Sequence, residues 1–232
     1  MKLLFILPII ILACLTSCNP HQNPNAVQRG KATQLGATHG YVLAVLTVEE
    51  KRPEGMLGIT AKTFSAYSLH YRPVGGKHEG TLRFSPGGMY KSKNDFPDGL
   101  GHVYLLALPA GEYELYEYGF YEQYYNTSIT HRSLEFSMPF EVKPGEVTYI
   151  GRFNAKHTYA ENMLGTVVLD SGYFIVEDAF EEDLAHAQEI YPEVNLDSAR
   201  KAKGYQEKIG KPILSPEDLE RTTLQAPNQA TP

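Results

Sequence analysis

The feature that most constrains this chain is a series of short strand-type runs separated by turn signals. Tyr67, Leu69 and Tyr71 alternate with Ser68, His70 and Arg72, which places an apolar face and a polar face on one extended segment. Phe136, Met138, Phe140 and Val142 alternate in the same way with Glu135, Ser137, Glu141 and Lys143. Tyr41 to Val48 and His102 to Leu108 are continuous apolar runs. Thr81 to Phe84, Tyr113 to Tyr121, Val147 to Phe153, Thr166 to Leu169 and Tyr173 to Val176 complete the set. About nine strands at this spacing predict a mainly β chain, an antiparallel sandwich or barrel.

The connections fit that reading. Leu108-Pro109-Ala110-Gly111-Glu112 carries Pro and Gly where a type I turn prefers them, and Lys143-Pro144-Gly145-Glu146 has the central Pro-Gly of a type II turn. Both read as tight reversals between antiparallel strands. A helix is expected from Asp178, with Glu181 as capping-box partner and Phe180, Leu184, Ala187 and Tyr191 on one face, ended by Pro192. Ser215-Pro216 reads as a second helix start. Tyr41–Val48 and His102–Leu108 are apolar on both faces, whereas an antiparallel sheet ordinarily leaves one face wet. Something must cover the outside of one sheet: the Asp178–Tyr191 helix first, a partner protein second.

The first residues say where the chain goes. Lys2 precedes an uncharged apolar run, Leu3 to Ala13. A spanning helix needs roughly 20 such residues, so the run reads as the core of a cleaved secretory signal. It ends in Leu15-Thr16-Ser17-Cys18, which resembles the lipobox of bacterial lipoproteins. That resemblance implies cleavage before Cys18 and acylation of its thiol, with palmitate-type chains in the bilayer. Ile11-Leu12-Ala13-Cys14 has a similar shape, but choosing Cys14 shortens the apolar core and strands Cys18 as a free thiol. By analogy with enteric-type sorting, Asn19 rather than Asp after the cysteine implies the outer membrane. The resulting division is a signal peptide at 1–17, a polar tether at 18–36, a β domain at 37–177, a helical extension at 178–224 and a tail at 225–232. As a free coil, the tether would reach roughly 20–25 Å.

Both cysteines lie in the leader region, so an acylated Cys18 leaves the mature chain without a disulfide. The net charge of −6 with no basic run argues against nucleic acid as a partner. The eight histidines, His21, His39, His70, His78, His102, His131, His157 and His186, show no metal-ligand spacing, and Leu82 stands where a second ligand would follow His78-Glu79. There is no nucleophile elbow or phosphate loop. Gly99-Leu100-Gly101 lacks a third glycine, and Asp95 and Asp98 lack calcium-loop spacing. Glu177, Asp178, Glu181, Glu182 and Asp183 sit where they offset the dipole of the expected helix. No catalytic residue, cofactor or metal is therefore expected. The surface candidates are tyrosines, of which Tyr116, Tyr118, Tyr124 and Tyr125 are the best placed for stacking on a sugar or peptide. Packing within a central strand is their competing role.

Leu108-Pro109-Ala110-Gly111-Glu112-Tyr113-Glu114-Leu115 and Phe140-Glu141-Val142-Lys143-Pro144-Gly145-Glu146-Val147-Thr148-Tyr149 carry a further likeness. The stretch Leu105 to Gly151 resembles DUF2846-type domains of bacterial envelope lipoproteins and, more distantly, transthyretin-like carboxypeptidase regulatory modules. The resemblance implies an Ig-like or transthyretin-like β-sandwich and transfers no catalytic residue. The expected role is a lipid-anchored, non-catalytic structural or protein-interaction module of the cell envelope. The alternatives are a glycan- or peptide-binding lipoprotein that uses its tyrosines, and an envelope hydrolase.

Overall fold

A computed structural model describes residues 23–30, 35, 37–50, 53, 62–87, 91–124, 127–163 and 166–214. Cys18, Tyr125, the signal segment and the second expected helix at Ser215 lie outside them. In chain order the elements are β1 (His39–Val48), β2 (Ala66–Pro73), β3 (Gly80–Phe84), β4 (Leu100–Pro109), β5 (Gly111–Tyr124), β6 (Thr127–Arg132), β7 (Met138–Val142), β8 (Val147–Glu161), β9 (Val167–Glu177), α1 (Phe180–Ile190), β10 (Arg200–Lys201) and α2 (Lys203–Lys208).

The strands form two five-stranded sheets, neither closed into a barrel. In one, β5 is central. It pairs with β2 on one side, and β2 with β3; its other edge takes β7 near its start and β6 near its end, all antiparallel. In the other, β1 lies between β4, antiparallel, and β8, parallel. The free edge of β8 takes β10 in parallel and β9 in antiparallel sense. The second sheet is therefore mixed, which corrects the wholly antiparallel expectation. β7 ends at the end of the molecule where β1 begins, so the chain enters β8 alongside β1 and in the same direction.

The two Pro-Gly turns explain how this happens. Gly145 has φ +72°, and the Glu146 amide donates to the Lys143 carbonyl at 3.2 Å, the expected type II form. Yet β7 and β8 belong to different sheets. So do β4 and β5, and between them the Ala110 amide donates to the Thr38 carbonyl at 2.8 Å. Both expected reversals are corners that carry the chain from one sheet to the other. Gly40 sits against the second corner, where a Cβ would collide with the Lys143 carbonyl oxygen.

The sheets share one apolar core. Tyr67, Leu69 and Tyr71 of β2 point inward and are at most 1% exposed, as the period-two pattern requires. Rings bridge the layers: Phe120 and Tyr118 of β5 meet Phe174 of β9 at centroid distances of 5.1 and 5.6 Å.

The outer side of the mixed sheet is covered as well, and Val42 to Leu46 of β1 are fully buried. α1 lies there on a buried polar clamp. Asp183, wholly buried, accepts from Tyr149 Oη at 2.5 Å and from the Arg152 guanidinium, with Arg152 Nε at 2.9 Å. Tyr149 also packs edge-on against Phe180 and Tyr205. Burial pushes the Asp183 carboxyl and the Tyr149 phenol above their ordinary values, and the bond to Asp183 holds Arg152 cationic. The expected capping box is absent. Ala179 is the N-cap and no side chain caps it, because the Asp178 carboxylate instead accepts from Tyr205 Oη at 2.9 Å.

Candidate functional site

Residues 23–30 fall in the stretch expected to be a free tether, yet they dock on the edge of β4. Ala26 bridges Leu106, the Val27 amide donates to the Leu105 carbonyl at 2.8 Å, and the Ala107 amide donates to the Asn25 carbonyl at 2.9 Å. Val27 is buried. The Asn23 and Asn25 side-chain amides both donate to Tyr71 Oη, at 3.0 and 3.1 Å. This segment, β3, β4 and residues 91–93 enclose a cleft of about 680 Å³.

Behind the cleft wall, Asp95 joins three of the residues that line it, Arg29, His102 and Val103. Its side chain is 1% exposed and receives Arg29 Nη2 at 2.6 Å, the Val103 amide at 2.9 Å and His102 Nδ1 at 2.8 Å. Its backbone carbonyl meets His186 Nε2 of α1 at 2.9 Å. Burial alone would raise this carboxyl, but the bonds from His102, Arg29 and Val103 outweigh it and hold Asp95 well below the usual carboxylate range. One residue thus ties three parts together: its carboxylate holds the N-terminal segment and β4, and its backbone carbonyl holds α1. Sequence spacing showed only that Asp95 and Asp98 lack a calcium loop and could not show this hub, since the partners of Asp95 lie 66, 7 and 91 positions away.

A second polar cluster covers the outer face of the antiparallel sheet. Ser68, His70 and Arg72 point outward from β2, and a bulge between His70 and Tyr71 offsets β5 by one residue at Tyr116. A chain of contacts follows. Ser68 Oγ lies 3.3 Å from His70 Nε2, His70 Nδ1 lies 2.9 Å from Thr81 Oγ1, Thr81 Oγ1 lies 3.5 Å from His78 Nε2, and His78 Nδ1 lies 3.0 Å from Tyr116 Oη. Burial first, then Coulombic contributions from His78, Arg132 and Arg83, lower the His70 pKa to about 4. His70 is therefore neutral at pH 7.

This cluster lacks the geometry that activates a serine. In such a triad the acid holds the imidazole nitrogen remote from the hydroxyl. Here Glu117 Oε1, at 3.8 Å, shares Nε2 with Ser68, and Thr81 occupies Nδ1. Ser68 Oγ meanwhile donates to the Gly119 carbonyl at 3.1 Å.

The tyrosine candidates separate. Tyr118 is buried, with its ring against Phe120, Phe136 and Phe174, and offers nothing to a surface ligand. Tyr116 faces outward, but the Arg72 guanidinium lies 4.2 Å over its ring. Tyr124 closes β5 and its side chain is not among those described; Tyr125 lies outside the described residues. Among the described residues no three His, Cys, Asp or Glu side chains gather as metal ligands.

No family model matches the chain, and no curated protein matches it. Among solved structures, a leucine-rich repeat protein from Bacteroides thetaiotaomicron is similar at 17% identity and a TM-score of 0.27, covering 50% of this chain and 14% of that chain. At that TM-score the likeness carries no argument.

Proposed function

We propose that this is a lipid-anchored protein of the bacterial cell envelope whose folded part is a non-catalytic structural or protein-interaction module. The observation that carries the reading is Leu15-Thr16-Ser17-Cys18, closing an apolar run too short to span a bilayer. Asn19 supports the outer membrane as its destination. Two sheets around one core support the finer assignment to an Ig-like or transthyretin-like sandwich, the form implied by the DUF2846-type pattern over Leu105 to Gly151. The polar clusters support a role without chemistry of its own, because Asp95, His70, Ser68 and Arg72 spend their bonds on neighbouring protein groups. The net charge of −6 supports an envelope protein partner over nucleic acid.

Cys18→Ala tests the anchor. The variant is expected to leave the membrane fraction or to accumulate as an uncleaved precursor, and normal acylation with full membrane retention would reject Cys18. Crosslinking in intact cells, followed by mass spectrometry, tests the role. Reproducible recovery of one envelope protein supports an interaction module, whereas specific sugar binding without such a protein favours the glycan-binding alternative.

A further inference from the structure

We propose that the end of the molecule formed by the β2–β3 turn and the β7–β8 corner faces the bilayer, with its basic side chains against anionic phospholipid headgroups. The inference rests on the lipid anchor at Cys18 and deepens it by fixing which surface meets the membrane.

The first argument is direction. The docked segment runs antiparallel to β4. Read backwards, Val27 lies beside Leu105 and Asn25 beside Ala107, toward Pro109, the last residue of β4. Followed back toward Cys18, the described segment therefore reaches Asn23 at the end where β4 stops. His39 pairs with Pro109, Pro73 with Tyr113 and Gly111 with Val142, so the starts of β1 and β5 and the ends of β2 and β7 share that end. The β2–β3 turn and the β7–β8 corner lie there.

The second argument is reach. Five steps of chain separate Asn23 from Cys18, at most about 18 Å when fully extended. Asn23 is fixed by its side chain to Tyr71 Oη and to the Thr81 carbonyl. An acylated Cys18 therefore cannot lift this end far from the headgroups, and the opposite end cannot take its place. β8 begins at this end and ends, at Glu161, at the far one, fourteen residue steps or roughly 46 Å away.

The third argument is charge. In a chain of net charge −6, Lys143, Arg200, Lys201 and Lys203 line one cleft at this end. Exposed Lys77 lies in the β2–β3 turn beside Val74, which is 53% exposed. Glu112, Glu141 and Glu146 temper the cleft: Glu146 pairs with Arg200 at 3.3 Å and Glu141 with Lys143 at 3.4 Å, while Lys203 meets Glu207 at 3.7 Å, all at exposed or half-exposed positions where the pairs hold weakly. The sequence hides this cluster because the β7–β8 corner and residues 200–203 are far apart along the chain.

The chain contains no tryptophan, so single tryptophans report position without background. The full-length protein is expressed with its leader, and acylation of Cys18 is checked by mass. Val74→Trp and Met163→Trp are then reconstituted separately in vesicles of phosphatidylcholine and phosphatidylglycerol bearing a headgroup spin-label quencher. Both sites are exposed, and Met163 lies past the end of β8 at the far end. The Val74→Trp probe is expected to lose about half its emission or more, and the Met163→Trp probe almost none, because headgroup contact is short-ranged. Adding Lys143→Glu and Lys203→Glu is expected to weaken quenching at Val74→Trp in these vesicles and to leave it unchanged in pure phosphatidylcholine. Equal quenching of the two probes in acylated protein overturns the orientation and leaves the anchor standing. A mature chain without acyl mass overturns the anchor, and the orientation with it.

Discussion

The two sheets treat their outer faces in opposite ways. Outside the mixed sheet, β1 is buried on both sides and α1 is pinned by a buried ion pair. Outside the antiparallel sheet, ion pairs and imidazoles stand at the surface, with Arg72 at 22% and Glu135 at 67% side-chain exposure. The difference teaches where charge matters. A buried pair is close to neutral while intact and costly when broken, whereas an exposed pair is worth little either way.

The largest expected effect follows directly. Arg152→Leu leaves the wholly buried Asp183 without its cation, which should cost about 3–5 kcal/mol in urea unfolding. Arg152→Leu combined with Asp183→Leu should recover most of that loss, because the buried charge is then gone. A cost below about 1 kcal/mol for the single change would mean that the covered face is wet after all and would break the comparison.

The next effect refines the wet face. The His70 side chain is only 19% exposed, and its pKa is lowered to about 4. Between the unfolded value near 6.5 and that folded value, the unfolded chain binds a proton that the folded chain does not. Stability therefore rises with pH across this window and is lost as pH falls from about 6.5 to 4, on the order of 2–3 kcal/mol. His70→Gln should flatten that segment of the stability–pH curve. The loss linked to Asp95, whose folded carboxyl is depressed, should survive in this variant and begin only below about pH 4.

The sequence revealed strands more readily than their arrangement. Alternation marked β2 and β7, because their inner residues meet one core and their outer residues meet water or charge. It missed β6, whose residues are nearly all exposed and so carry no two-residue contrast. It split β9, where exposed Asp170 and Ser171 interrupt a single strand. The unbroken apolar run of β1 correctly required a cover, and α1 lies there. Turn chemistry gave the local form at Gly145 but not the sheet reached beyond it, since the same Pro-Gly geometry serves a reversal or a corner. The Asp95 hub and the basic end are assembled from distant positions, and spacing along one chain does not encode either. Composition read residues 23–30 as tether because Asn23 and Asn25 are polar, but their amides bond Tyr71 Oη across the fold.

A smaller effect tests that docked segment, where the two faces meet at the β4 edge. Arg29→Ala removes one of three donors to Asp95, and Arg29 is itself partly exposed, so about 1–2 kcal/mol is expected. The sharper readout is limited proteolysis. Cleavage within 23–30 should accelerate in Arg29→Ala while the core strands stay protected. Unchanged protection of the segment would place its hold in the Asn25 and Val27 backbone bonds to β4 and the asparagine bonds to Tyr71.

The smallest effect belongs to the exposed pair on the wet face. Arg72 Nε meets Glu114 at 2.8 Å, Arg72 Nη2 meets Glu135 at 3.2 Å, and the guanidinium covers the Tyr116 ring. Three contacts on one side chain invite a large estimate, but water screens the one to Glu135. Glu114, which is 8% exposed, keeps a second donor in Ser137 Oγ at 2.7 Å when the arginine is lost. Arg72→Ala should therefore cost at most about 1 kcal/mol, mostly through the ring contact. Added salt should shrink the cost further, because the Glu135 part is Coulombic and open to solvent. The same salt titration on Arg152→Leu should leave its larger cost nearly unchanged, since ions do not reach Asp183. If salt moved both variants equally, the two outer faces would share one dielectric environment, and the distinction between a sealed sheet and a wet one would fail.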